Sequence, residues 1–297
     1  MYSNQEAFRN YLLYQKKYSE HTVKAYLSDL EKFSDFLKSN SICDVDHVTY
    51  VDVRNWVVLL SESNLSNISI NRKVASLKAY FKFLMRIEQI SLNPLLKHKS
   101  LKEPKKIQIP FSENEMLAVL DGDEFTEDYD GVLKKTIILL LYSTGIRRAE
   151  LISLKPESID FSNQSLKVLG KRNKERIIPL TDEILSQLKF YLECKKTLKS
   201  KVNFETLFIS KRGVKLSSTF VYNLINLYFS MVSAKSKKSP HVLRHTFATH
   251  LLNNGADLNS VKELLGHSSL ASTQVYTHSS LAELKKVYSE FHPRNKS

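Results

Sequence analysis

The stretch YSTGIRRAEL, residues 142–151, sets Gly145 and two arginines between an apolar run and a further short segment of helical character. Glu150 follows Arg147 by three positions, about one helical turn, so its carboxylate can hold the guanidinium in place. A surface ion pair of little energetic weight is the bland alternative. Farther along, SPHVLRHTFATHLLNNG, residues 239–255, places His241 and Arg244 on one face near a helix start. Ser239 suits the N-cap, Pro240 the first helical position, and Gly255 the left-handed position past the end. Backbone N–H groups and the helix dipole favour an anion there, and a phosphate fits that demand. Two other readings compete. His241 and His245 could bind zinc, although neither an HExxH glutamate nor a nearby cysteine accompanies them. Arg244 could instead pair with a carboxylate.

Three further groups complete the inventory. GKRNKER, residues 170–176, offers Lys171, Arg172, Lys174 and Arg176. Loop-tip lysines are usually solvated, yet one reaching into a groove could donate a proton. His267 stands just beyond Gly266, a helix end. Tyr276, in ASTQVYTHSS, carries a hydroxyl that is a weak nucleophile at neutral pH until neighbours take its proton or stabilise the developing charge. His241 or His267 could do so, and spacing does not choose between them. Scission of a phosphodiester by a protein hydroxyl needs a nucleophile, cations at the phosphate oxygens and an acid for the leaving oxygen. All of these parts are present without a metal.

These residues need elements to carry them. From Glu6 to Ile90 the apolar spacing is helical: Phe8, Leu12, Leu13; Val23, Tyr26, Leu27, Leu30, Phe33, Leu37; Val53, Trp56, Val57, Leu60; Val74, Leu77, Phe81, Leu84. Four amphipathic helices would form a small bundle. Residues 92–110, LNPLLKHKSLKEPKKIQIP, carry three prolines and five lysines against one glutamate and read as an extended basic linker. Ser112 with Glu115 forms a capping-box pattern, and an apolar helix spans about Gly131 to Ser143. SLKVLG and ERIIPL, around KRNK, predict a β-hairpin within 159–180, with a third strand at TLFIS, 206–210. Helices follow at 217–229, 240–254 and 257–265, with two short ones around Tyr276 and Leu284. Helix, glycine turn and short helix also match a helix-turn-helix, which points to a non-catalytic DNA-binding regulator as the main rival.

The chain has 297 residues, which suits two domains, and Lys+Arg exceed Asp+Glu by 44 to 31, a formal charge of +13. That balance favours a polyanion such as nucleic acid, a solubilising lysine surface being the alternative. Cys43 and Cys194 are too few and too far apart for a disulfide framework or a Cys-based zinc site. MYSNQEAFRN has no apolar signal core, and the longest apolar run, Ile137 to Tyr142, is too short to span a membrane. A cytoplasmic protein with no membrane association is expected.

The ordered set TGIRRAEL, GKRNKER, HVLRH, LLGHSS and STQVYTH resembles the tyrosine recombinases of the phage integrase family, most closely the Xer type. The similarity covers essentially the whole chain, and five motifs in order are far more specific than any one. It implies a mainly α fold with a small antiparallel β-sheet in the catalytic domain, arranged as a two-domain DNA clamp. Residues 1–105 would be a helical SAM-like core-binding domain and 106–297 the tyrosine recombinase catalytic domain. Carried over position by position, the resemblance makes Tyr276 the nucleophile. Arg147, Arg244 and His267 would bind the nonbridging oxygens, Lys174 would be the acid, and His241 would assist proton transfer, with Glu150 in support. Arg148 and Ala149 stand where the family usually has an uncharged residue and often serine.

The resemblance further implies strand exchange through a 3′-phosphotyrosyl link, without metal, cofactor or ATP. Partners would be double-stranded DNA with a specific recombination site, and self or a paralogous recombinase as a tetramer on two sites, with the last helix, about 280–290, docking on a neighbour. The Xer role is resolution of chromosome dimers at cell division, often under the FtsK DNA translocase. A phage or mobile-element integrase is the nearer rival, and such integrases often carry an additional N-terminal arm-binding domain for which no room is expected before Glu6. A type IB topoisomerase would share much of the cleavage chemistry.

Overall fold

The computed structural model describes residues 2–42, 48–103, 108–170, 174–198, 205–266, 287–288 and 290–295. The chain divides into two compact units, Met1–Lys106 and Ile107–Ser297.

The first unit is the expected set of helices: α1 (Tyr2–Asn10), α2 (Glu20–Ser39), α3 (Tyr50–Glu62) and α4 (Asn67–Arg86), with a π-helical turn, Tyr11–Gln15, after α1. Ser19 and Ser66 cap α2 and α4 by accepting from the backbone N–H of Thr22 and Ser69. The predicted apolar faces meet in one core around Phe8, Phe33, Trp56, Leu77 and Phe81, all at most 2% exposed. One polar knot ties α2 to α4. Asp29 accepts from Lys73 Nζ at 2.9 Å, Ser76 Oγ at 2.9 Å and both terminal nitrogens of Arg72 at 2.7 and 3.0 Å. Burial would raise the Asp29 carboxyl, and these hydrogen bonds overcome it and hold the group below its usual value.

The basic segment after α4 is less free than its composition predicts. Leu95 is fully buried in this core. The Asn71 side chain donates to the Leu101 carbonyl and accepts from the Leu101 N–H, and Asn67 donates to the Lys102 carbonyl. Bends and turns through 91–97 replace a fully extended path, Asn93 accepting from the Leu95 N–H through its side chain and from the Leu96 N–H through its carbonyl.

The second unit opens with α5 (Glu113–Leu120), whose capping box forms as expected: Glu115 accepts from the Ser112 N–H and Ser112 Oγ from the Glu115 N–H. Next comes α6 (Tyr129–Thr144), capped by Asp128 and buried from Ile137 to Thr144, which runs through the middle of the core. Its stretch Ile137–Tyr142 is apolar all round because it is covered all round. A short α7 (Arg148–Ser153) follows, then a three-stranded antiparallel sheet of β1 (Ile159–Asp160), β2 (Ser165–Leu169) and β3 (Glu175–Pro179) in that order. In the β2–β3 pairing Leu169 faces Glu175, and the Gly170 N–H donates to the Lys174 carbonyl at 2.8 Å, closing the hairpin.

Two expectations fail here. Residues 206–210 do not supply the third strand, which is 159–160 instead. Ile209 makes only an isolated bridge to Lys215 across a turn, and the Leu207 N–H bonds to the Leu154 carbonyl. The apolar run is buried as a loop, with its carbonyls at 207 and 209 accepting from the hydroxyls of Tyr191 and Tyr129. Residues 182–196, for which the pattern reading predicts no helix, form α8 (Asp182–Lys196). Its signal is legible in Ile184, Leu185, Leu188 and Tyr191, which form one helical stripe, all buried.

The remaining helices are α9 (Ser218–Val232), α10 (Pro240–Asn253) and α11 (Leu258–Leu265). The two short helices expected around Tyr276 and Leu284 lie outside the described residues. At the end of the chain, Tyr288 is buried and its hydroxyl donates to the Ser143 carbonyl at 2.6 Å. His292 is fully buried among the rings of Tyr142, Phe247 and Tyr288. Arg294 pairs with Asp121 and Glu183. The described part of the last helix, Val287, Tyr288 and Glu290, is therefore anchored through Tyr288 on its own chain.

Candidate active site

The site begins where α6 stops. Gly145 takes the left-handed conformation, φ 58°, which ends the helix, and a Cβ there would overlap the Phe247 ring. The sharp turn delivers Arg147 to the N-cap position of α7 two residues later. There the predicted hold by Glu150 is formed twice. Glu150 accepts from the Arg147 N–H at 2.7 Å and from Arg147 Nη1 at 2.8 Å. The Glu150 side chain is 6% exposed and that of Arg147 27%, so this is a pinned cation at the surface and not a loose surface pair.

Helix α10 supplies Arg244. Its N-cap, Ser239, works through its backbone carbonyl, which accepts from Val242 and Leu243, and its hydroxyl makes no capping bond. The helix is fixed from behind by two buried groups. Thr246 Oγ1 accepts from the Phe111 N–H, and His250 bridges the Phe111 carbonyl and the Tyr142 hydroxyl, each at 2.9 Å. A carbonyl only accepts, so His250 carries its proton on Nε2 and takes the Tyr142 hydrogen on Nδ1. Arg244 is buried, and the carboxylate partner allowed by its sequence context is not among the described residues. It donates instead to two main-chain carbonyls, Gly145 through Nη1 and Leu265 through Nη2, both at 2.6 Å. Burial, then the charges of Arg147 and Arg176, lower its pKa to about 10, which still leaves it cationic at neutral pH.

Arg176, read from sequence only as one of four hairpin cations, is an interior residue, 4% exposed. It donates to both oxygens of Glu150, at 3.0 and 2.8 Å, and through Nε to the Leu264 carbonyl at 2.9 Å. The open carbonyls at the end of α11 are thus capped by two arginines, Arg176 at Leu264 and Arg244 at Leu265, where positive charge suits the helix dipole. Gly266, φ 64°, ends α11 against the Arg176 side chain. Three arginines around one carboxylate leave a net positive cluster. Burial alone would raise the Glu150 carboxyl, but Arg176 and then Arg147 hold it at about 2.

His241 is exposed at the start of α10. Burial of part of its ring, then the charges of Arg148, Arg244 and Arg147, lower its pKa below 6.5, so it is neutral at pH 7 and able to accept a proton. Lys174 is exposed at the foot of β3. His267 and Tyr276, together with the hairpin residues Lys171 and Arg172, lie outside the described residues. Among the predicted residues, the structure therefore brings Arg147 and Glu150 into one hydrogen-bonded set with Arg176, and places Arg244 beside them within reach of their charges. Among the described residues, no three His, Cys, Asp or Glu side chains come together as metal ligands, and no helix is long and apolar enough to cross a membrane. Chemically, such a cluster can hold a phosphate and stabilise negative charge that grows on it.

Known proteins share this plan. Residues 111–283 match the phage integrase family and residues 6–88 the phage integrase N-terminal SAM-like domain. Tyrosine recombinase XerC of Staphylococcus aureus (strain MRSA252) is 38% identical over 293 residues, 98% of this chain and 97% of the relative. Tyrosine recombinase XerD of Staphylococcus epidermidis is 33% identical over 290 residues, 97% of this chain and 98% of that one. In fold, the chain is similar to XerH site-specific recombinase bound to a palindromic difH substrate, with TM-score 0.68 and 21% identity over 92% of this chain and 77% of that one. It is equally similar to the Tn1549 transposon integrase in complex with circular intermediate DNA, with TM-score 0.68 and 21% identity over 93% and 96%.

Proposed function

The chain belongs to the phage integrase family of tyrosine recombinases, DNA-breaking and rejoining enzymes, and from that premise we propose that it is an Xer-type recombinase whose nucleophile is Tyr276. The phenol oxygen attacks the scissile phosphorus, giving a 3′-phosphotyrosyl diester and a free 5′-hydroxyl. The phenol proton leaves to a base, for which His241 and His267 are the candidates, and the departing 5′ oxygen takes a proton from Lys174. One diester is exchanged for another, so the bond energy is conserved without ATP. Arg147, Arg244 and His267 neutralise the nonbridging oxygens as the phosphorus becomes pentacoordinate. A 5′-hydroxyl from the partner strand then reverses the reaction on a new junction, which requires four protomers on two sites.

The observation that carries this reading is the Arg147–Glu150–Arg176–Arg244 cluster, in which cations are fixed before substrate arrives. Residues 1–105 and 106–297 act as core-binding and catalytic domains on the same duplex, and the +13 formal charge suits that partner. Near full-length similarity to both XerC and XerD relatives supports a cytoplasmic role in resolving chromosome dimers, with FtsK as a candidate activator.

The experiment is covalent trapping in cells, followed by sequencing of the attached DNA. Wild-type protein should yield an SDS-resistant adduct at one chromosomal site, and Tyr276→Phe should bind that DNA without forming it. An adduct with Tyr276→Phe would exclude this nucleophile. Recovery of mobile-element ends would replace the Xer role with that of an integrase.

A further inference from the structure

Among the described residues, Arg176 is the one buried arginine that the cleavage scheme leaves without a task. Its position is nonetheless unusual: it is the only described side chain that touches both Glu150, which pins Arg147, and the end of α11, which leads into His267. It also stands two residues after Lys174, which immediately precedes β3 on the same hairpin arm. The far arm closes against the same pair. Gly170 bonds to the Lys174 carbonyl, and a Cβ on Gly170 would lie 3.2 Å from that oxygen, 3.5 Å from Arg176 Nη1 and 3.7 Å from Glu150 Oε1. The base of the hairpin loop is thus seated on the Glu150–Arg176 ion pair.

We propose that Arg176 is a positioning residue for strand cleavage, registering Lys174 against the phosphate held by Arg147. The chain of contacts is short. Arg147 is fixed by Glu150, Glu150 by both terminal nitrogens of Arg176, and Arg176 is the second residue of the strand that Lys174 immediately precedes. A lysine on a flexible stem reaches many places, and only a rigid foot confines its ammonium to the departing oxygen. The planar fork of arginine fits this joint because it engages two carboxylate oxygens and a carbonyl at once, which an ammonium at the same site does not.

The inference rests on Lys174 being the acid, so the test separates the two claims. The probe is a nicked duplex of the trapped site sequence, made with either the normal 5′ bridging oxygen or a 5′ bridging sulfur at the scissile phosphate. A thiolate leaves without a proton, because a thiol ionises near pH 8.5 whereas an alcohol does not ionise in this range. Single-turnover cleavage is measured for wild type, Lys174→Ala, Arg176→Lys and Arg176→Gln. Lys174→Ala should be slow on oxygen and restored on sulfur; if sulfur does not restore it, Lys174 is not the acid. Given that restoration, both Arg176 variants should be slowed roughly ten- to hundred-fold on oxygen and regain wild-type rate on sulfur. Equal slowing on both substrates would mean only general damage to the fold, and no slowing on oxygen would mean that the joint has no role. Either result overturns the proposal. Arg176→Lys keeps the buried charge and serves if Arg176→Gln does not fold.

Discussion

Nη1 of Arg244 donates to the carbonyl oxygen of Gly145 at 2.6 Å, so the residue that ends α6 also seats the arginine of α10. Its Nη2 does the same for Leu265 at the end of α11, and two helix ends are thereby fixed by one guanidinium. The cation that faces the phosphate in the proposed reaction is held by main-chain atoms, whose positions depend on backbone conformation and not on a partner's protonation.

Gly145→Ala should therefore harm both stability and chemistry. A left-handed alanine and a methyl group against Phe247 together should cost about 2–4 kcal/mol. Urea denaturation would measure the loss, and adduct formation should fall with it as the Arg244 anchor shifts. A variant within about 0.5 kcal/mol of wild type, the range of an ordinary surface change, would show that the turn relaxes freely.

Glu150→Gln should be destabilised in a pH-dependent way. The folded carboxyl sits at about 2 and its ordinary value is 4.5. A lowered folded pKa contributes stability that is fully present above the unfolded value and is lost as pH falls through the folded one. Wild type should thus exceed the variant by on the order of 3 kcal/mol at pH 7, with the gap roughly halved by pH 3. A gap that is constant between the two pH values would mean that the carboxylate's charge is not what counts.

Cleavage should have an acid limb set by the base that receives the phenol proton. If that base is His241, whose pKa is lowered from 6.5, the rate should stay level from pH 7.5 to 6.5 and decline below that. His241→Gln should slow the reaction roughly a hundred-fold or more and remove the limb. A limb that survives the substitution would assign the proton to another group, His267 being the next candidate.

Replacing Tyr288 by alanine should loosen the end of the chain from α6. Its ring is 2% exposed and its hydroxyl donates to Ser143, so about 3–5 kcal/mol should be lost, as for other large buried aromatics. Differential proteolysis near the C-terminus, read by mass, would detect the release. Unchanged protection there would place the anchor in His292 and Arg294 instead.

Much of this protein was legible in its order of residues. Local rules were enough for the Ser112–Glu115 box, the Gly145 and Gly266 stops, the hairpin, and the hold of Glu150 on Arg147, because each involves groups three to ten positions apart. The resemblance in five ordered motifs named the family before any coordinates. The rules failed where distant segments decide. The stretch at 206–210 has the composition of a strand, yet its carbonyls are taken by tyrosines from α6 and α8, so no ladder forms.

Arg176 is the clearest case. In sequence it is one more cation in GKRNKER, two positions from the exposed Lys174. Only the packing of β3 against α7 and α11 removes it from water, and a buried guanidinium must then find acceptors. It finds Glu150, 26 positions upstream, and Leu264, 88 positions downstream. Arg244 likewise has no acceptor near it in sequence and takes carbonyls 99 and 21 positions away. The sequence by itself determined which chemical groups are present and in what order, since motif and helix spacing are local. The tertiary structure alone decided which charges are buried and what satisfies them, because desolvation and hydrogen bonding depend on neighbours that the chain brings together only when folded.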